Sequence, residues 1–183
     1  MTKSVQPAFS TVIITFLLAL STGGCSKSNN GPTGPSTTAQ VGGDWTYTLR
    51  LNSVSGGECV GSALQGAIGA TDSGPLIITQ TGSSLSATIG DPTVGTCSYT
   101  GNVNGDSVTL NLSRCDGGMV LGGFPCSNGV QRDIEYLSNT INASVSGTSA
   151  VGTSVETYNV HAAGTTNRIS VMTLNASFNA TRR

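Results

Sequence analysis

Charge is what this chain has least of. Asp, Glu, Lys and Arg make up 9% of its 183 residues, where about 25% is usual. No lysine follows Lys27, and the formal net charge is −1. Binding a nucleic-acid backbone needs clustered Lys and Arg, and this chain has no such cluster. The same lack leaves charge-driven binding to a lipid surface unsupported. Low charge does not mean disorder here, because apolar residues recur at regular intervals. Runs long enough to cross a bilayer are also missing. The apolar stretch from Val12 to Leu20 falls short of the roughly 20 residues a spanning helix needs. There is no C-x-x-C spacing to mark a zinc site. Histidine occurs once, at His161, which is poor material for a catalytic triad.

Gly, Ser, Thr and Asn take the place of the missing charge. With Lys3 ahead of it, the stretch Val12 to Leu20 reads as the h-region of a signal peptide. The run Ser21-Thr22-Gly23-Gly24-Cys25 resembles a bacterial lipobox. Gly24 fits that motif, and Thr22 stands where leucine is commoner. The resemblance implies cleavage ahead of Cys25 and acylation of its thiol and new amino group. Anchoring would then be stable, since one acyl chain holds only marginally and several hold firmly. Ser26, a residue other than Asp, implies outer-membrane sorting in a diderm cell. The alternative is an ordinary secretory signal followed by an ordinary cysteine. Residues 26–40, SKSNNGPTGPSTTAQ, have the polar, Gly-Pro-broken composition of a flexible tether. The expected organisation is residues 1–24 as signal peptide, 25–42 as lipidated cysteine and linker, and 43–183 as one domain. A domain of that size buries a core without help from a metal.

From Gly43 the apolar pattern has period two, the mark of half-buried strands. Trp45, Tyr47, Leu49 and Leu51 alternate with Thr46, Thr48 and Arg50 in a first strand, and Leu76-Ile77-Ile78-Thr79 is a second. A break at Gly82-Ser83 leads to Leu85, Ala87 and Ile89, a third. Tyr99, Gly101 and Val103 form a fourth. Val108, Leu110 and Leu112 form a fifth, joined to the fourth by the hairpin signal Asn104-Gly105. A sixth spans Gln131 to Val145 and a seventh Ser154 to Ala162. An eighth runs from Arg168 to Ala180, with Met172, Leu174, Ala176 and Phe178 on one face. A short helix around Ala63 to Ile68 is the one helical candidate. This pattern predicts an all-β fold, an eight-stranded antiparallel up-and-down barrel. Closure would remove the sheet edges and leave room for side chains or one small ligand. A two-sheet β-sandwich is the alternative. Alternate connections of a meander share an end, so the long connections Ser53 to Ser73 and Cys115 to Val130 belong together. The tight turns belong at the opposite end.

Setting Cys25 aside leaves Cys59, Cys97, Cys115 and Cys126 at the long-loop end. Four is the even number that two disulfides need. Connectivity is not deducible from sequence; the expected pairing is Cys59–Cys97 with Cys115–Cys126.

Gly43-Asp44-Trp45, opening the first strand of an eight-stranded meander, resembles the G-x-W of lipocalins and the wider calycin group, which includes avidin-like barrels. The resemblance covers three residues and the inferred topology. It implies that Trp45 packs at the closed end beneath an arginine from the last strand, a role open to Arg182 or Arg183. It also implies a small-molecule cavity at the open end.

Candidates for chemistry are few. His161 lies late in the seventh strand with no identified nucleophile. Asp133 and Glu135 share a strand face, as an acid–base pair would and as a solvated strand face also does. Asn102-Val103-Asn104-Gly105-Asp106 looks slightly like a calcium loop but lacks its downstream Glu, and a hairpin accounts for it. The Cys115 to Val130 loop is unusually apolar, with Met119, Val120, Leu121, Phe124 and Pro125, and is made flexible by Gly117-Gly118 and Gly122-Gly123. Apolar residues on a long loop mark a contact surface or a lid, or a plug for the barrel mouth. The expected ligand-binding set is therefore Met119, Leu121, Phe124 and His161; no catalytic residue, metal or cofactor is expected. The expected function is an outer-membrane lipoprotein, on its periplasmic or cell-surface face. It is not expected to be an enzyme or to bind nucleic acid. Its barrel would take a small apolar ligand or an envelope protein at the long-loop end. A structural envelope lipoprotein with a filled barrel is the alternative. A hydrolase ranks last, for want of a visible nucleophile–base set.

Overall fold

The structure, a computed structural model, describes residues 38–59, 62–91, 95–126 and 129–183. Along the chain run β1 (Gly43–Ser55), the one-turn helix α1 (Ser62–Gly66), β2 (Thr71–Thr81), β3 (Ser84–Asp91), β4 (Gly95–Asn104) and β5 (Ser107–Cys115). Then come β6 (Val120–Pro125), β7 (Gln131–Ser146), β8 (Ser149–Ala162) and β9 (Arg168–Arg182). Sequential strands from β1 to β5 pair antiparallel, as do β6 to β9; β1 pairs β9 and β5 pairs β7. The result is a closed eight-stranded antiparallel up-and-down barrel, consistent with a calycin-like architecture and not a sandwich. β6 is an extra strand lying outside that count. It forms in the segment expected to be a loop, because β5 covers only the Thr140–Ser144 stretch of β7. The first half of β7 would otherwise present a bare edge, and Val120 to Pro125 pairs with it instead.

Three tight turns define one end. Gly82-Ser83, Gly105-Asp106 and Gly147-Thr148 each lie between the last pairs of their hairpins, Thr81↔Ser84, Asn104↔Ser107 and Ser146↔Ser149. Each glycine has φ near +60°, and among the described residues no non-glycine has positive φ. Positive φ at the first loop position alone is the type II′ pattern, whose twist suits a hairpin. The second turn is thus centred on Gly105-Asp106, one residue later than the Asn104-Gly105 signal suggests.

Alternation holds along most strands and is broken at bulges toward the other end. Asn52, Ser113, Leu137 and Ile169 are each an extra residue facing a continuous partner strand. A bulge resets which residues face inward. On β7, Ile134 and Tyr136 face in before Leu137, and Asn139, Ile141, Ala143 and Val145 face in after it, while Leu137 itself is 53% exposed. At Gly101 the wall is so tightly coiled that a Cβ would lie 1.9 Å from the Thr109 carbonyl oxygen.

The packing extends upstream of Gly43. The Ala39 N–H donates to the Gly105 carbonyl, on the wall opposite β1. Gln80 accepts from the Val41 N–H and donates to the Ala39 carbonyl. Val41 is wholly buried, so this short segment crosses the barrel floor.

Candidate functional site

The barrel interior has two halves of different character. Toward the tight turns it is filled. Trp45 is buried, its indole N–H donates to the Val41 carbonyl at 2.9 Å, and the Arg182 guanidinium lies 5.3 Å from the ring centroid. Arg182 also donates to the Gly42 and Gln40 carbonyls, tying the end of β9 to the floor segment. The space left among Val41, Trp45, Leu110 and Phe178 is only about 20 Å³.

Toward the long connections the interior opens into a cavity of about 320 Å³. Leu49 and Leu51 on β1, Leu112 on β5, Ile141 on β7 and Leu174 on β9 supply apolar walls. A polar cluster stands on one side. Asn139, 4% exposed, donates to Tyr99 Oη at 3.3 Å and to Glu156 Oε1 at 2.9 Å, and accepts from Ser154 Oγ at 3.1 Å. The Tyr158 hydroxyl donates to Glu156 Oε2 at 2.6 Å, and its ring meets Tyr136 at a centroid distance of 4.4 Å. Burial, and then the Glu156 charge, push the Tyr158 phenol far above its ordinary range. Tyr158 is therefore a fixed proton donor to the carboxylate. On the opposite side the Tyr47 hydroxyl donates to Asp72 Oδ2 at 2.8 Å, at the cavity rim.

A lid covers part of the mouth. The Cys59–Cys126 disulfide joins the β1–β2 connection to the end of the β6 hairpin, and Arg132 adds an ion pair to Glu58 at 2.9 Å. Beneath lies a second small core of Cys59, Cys126, Ile134, Val160 and Met172, with Leu64, Leu121 and Phe124 packed on it. A recess of about 410 Å³ borders these residues and shares Tyr136 and Leu174 with the main cavity.

The second disulfide is Cys97–Cys115, so the expected pairing of Cys59 with Cys97 and Cys115 with Cys126 is corrected. The reason is register. From Asn104↔Ser107 an unbroken ladder would set Cys97 opposite Arg114. The extra residue Ser113 shifts the pairing by one and brings Cys115 opposite Cys97, with Cα atoms 4.0 Å apart.

Of the sequence-derived ligand set, Leu121 and Phe124 border the recess, while Met119 and His161 border neither it nor the main cavity. Met119 packs on the lower core, Leu121 touches both cores and Phe124 belongs to the lid. His161 points outward from β8, where its Nε2 meets Glu135 Oε2 at 3.0 Å and its Nδ1 has no hydrogen-bond partner among the described residues. Asp133 accepts from the backbone N–H groups of Gly123 and Gly164, and Glu135 accepts from Asn159 and His161. Both carboxylates therefore serve the outer surface and not the cavity. Cys25 lies outside the described residues. Tyr99, Asn139 and Glu156 are among the cavity-lining polar residues that the sequence reading did not single out. Glu156 carried a signal, since it sits in the inward phase between Ser154 and Tyr158. Asn139 carried none, because only the Leu137 bulge turns it inward. Among the described residues, no group of three or more His, Cys, Asp or Glu side chains is arranged to hold a metal ion.

Comparison with protein-family models, with curated proteins and with solved structures gives no significant match.

Proposed function

We propose that this chain is an exported lipoprotein whose barrel captures a small, largely apolar molecule through its open end. The observation that carries the binding reading is the cavity of about 320 Å³ set above a filled floor. Small-molecule sites are pockets of roughly 300–1,000 Å³ with apolar walls and a few convergent polar groups. The Asn139–Glu156–Tyr158 cluster supplies the polar groups. Binding is favoured over hydrolysis because His161 faces away from the cavity and pairs with Glu135 alone. Anchoring rests on the lipobox resemblance at Ser21 to Cys25 and on the polar tether after it. Acylation of Cys25 would hold the barrel at an outer membrane, on its periplasmic or cell-surface face.

Two measurements test this. Native mass spectrometry of residues 26–183, purified from an oxidising compartment, is expected to show a mass increment that disappears on denaturation. A bare mass, together with failure to bind any small apolar probe, would sink the binding reading in favour of a filled structural barrel. Metabolic labelling with radioactive palmitate is expected to mark the wild-type chain and not Cys25→Ala. Equal labelling of both, or of neither, would reject the anchor.

A further inference from the structure

The cavity lining has one sign of charge. Asp72 and Glu156 both border it, and no Lys, Arg or His among the described residues does. Three tyrosines, Tyr47, Tyr99 and Tyr136, border it as well. We propose that the ligand is a small organic cation, an amine with an aliphatic body of a few carbons, whose ammonium group sits at Glu156. This rests on the binding reading above and adds the chemical class of the ligand.

Electrostatics favours a cation in this cavity. Glu156 sits on the inward phase of β8, with Asn139 Nδ2 and the Tyr158 hydroxyl donating to its two oxygens at 2.9 and 2.6 Å. Asn139 is held in turn by Ser154 and Tyr99, so the carboxylate is fixed in place before a ligand arrives. A preorganised group of this kind costs little to use in binding. An ammonium beside it gains a charge-assisted hydrogen bond in a partly water-excluded site, stronger than the same bond in water. Aromatic faces attract ammonium groups further. A fatty acid or other carboxylate would meet two like charges in the same space, and like-charge juxtaposition costs affinity. The walls of Leu49, Leu51, Leu112 and Leu174 take the aliphatic body, and the apolar recess beyond Tyr136 sets no sharp limit on its length.

The test uses three ligands of equal length and different charge: hexylamine, hexanol and hexanoate. Each displaces the neutral fluorophore N-phenyl-1-naphthylamine from residues 26–183 with both disulfides formed, a chain that contains every residue of the described barrel. The fluorophore is expected to bind saturably. Hexylamine is expected to displace it at a concentration roughly tenfold below that of hexanol, the factor a single charged hydrogen bond supplies, with hexanoate weakest. In Glu156→Gln the ratio of hexylamine to hexanol is expected to fall to near one. That ratio is internal to each variant, so a general change in the cavity does not move it. Asp72→Asn, at the rim, is expected to lower the ratio less, and serves if Glu156→Gln does not fold. Hexylamine no better than hexanol in the wild-type protein, or hexanoate best of the three, overturns the cation proposal while leaving the cavity a binding site. No fluorophore binding and no binding of any of the three overturns the binding reading itself.

Discussion

Trp45 is the one tryptophan of the chain and is 1% exposed. Its burial, its bond to Val41 and the Arg182 guanidinium over its ring make it the centre of the closed end. Trp45→Ala is expected to cost about 3–5 kcal/mol, as truncation of buried aromatics does. Arg182→Gln should cost nearer 1 kcal/mol, since a cation–π contact and partly exposed hydrogen bonds are smaller terms. Urea midpoints of the two variants would show a different order if the floor were not organised around Trp45. Glu135 gives a second residue-scale test. The Asn159 hydrogen bond, and then that of His161, hold its carboxyl below the ordinary carboxylate range. A lowered folded-state value means that the stabilisation is present above the unfolded value and is lost as pH falls through the folded one. The side chain is more than a third exposed, so the effect is small. The urea midpoint of Glu135→Gln should lie slightly below wild type at neutral pH, and the gap should close below roughly pH 4. A gap that widens on acidification would contradict the pairing. At this scale the chain reads well: the inward phase of Trp45, Tyr47, Met172 and Phe178 follows from alternation alone. Asn139 does not, because a one-residue bulge reverses the phase beyond it.

Elements join at the open end through the two disulfides, which do different things. Cys97–Cys115 staples neighbours that already pair and closes a separation of 18 residues. Cys59–Cys126 links two connections separated by 67 residues and holds the lid to the mouth. The loop-entropy model assigns about 3 kcal/mol to the shorter closure and about 4 kcal/mol to the longer. Replacing Cys59 and Cys126 together with Ala is therefore expected to lower the urea midpoint more than replacing Cys97 and Cys115. Hydrogen exchange should separate the two further. Loss of Cys59–Cys126 is expected to speed exchange around α1 and β6 and to leave β2 through β4 protected. Uniform acceleration around the barrel would show that the lid is not a separate unit. The even count of cysteines at this end was legible in the sequence. Their pairing was not, because it turns on Ser113, whose role as an extra residue appears only once β4 and β5 are in register. The identity of β6 was hidden for a similar reason. Its six residues include two glycines, and it becomes a strand because β7 offers an edge.

The whole barrel depends on a floor that begins ahead of its first strand. Ala39 to Gly42 reaches from β1 to the Gly105 turn and buries Val41 completely. A chain beginning at Gly43 loses that side chain and the acceptor for the Trp45 indole. The expected penalty relative to a chain beginning at residue 38 is about 2–4 kcal/mol, from one buried valine and one or two hydrogen bonds. Thermal unfolding followed by Trp45 emission would measure it, with a red-shifted native spectrum as a second sign. Equal stability of the two chains would mean that the floor segment is ornamental. The antiparallel meander, by contrast, needed little beyond the primary pattern, since period-two alternation and glycine-led turns depend on neighbours in sequence. That the meander closes as a barrel and not a sandwich rests on the β1–β9 and β5–β7 pairings. The cavity, the inward turn of Asn139 and the disulfide pairing were decided by the tertiary structure. They depend on where four single-residue bulges fall and on which strands those bulges bring face to face. An extra residue has no local signature in the chain and takes its meaning from the partner strand across from it.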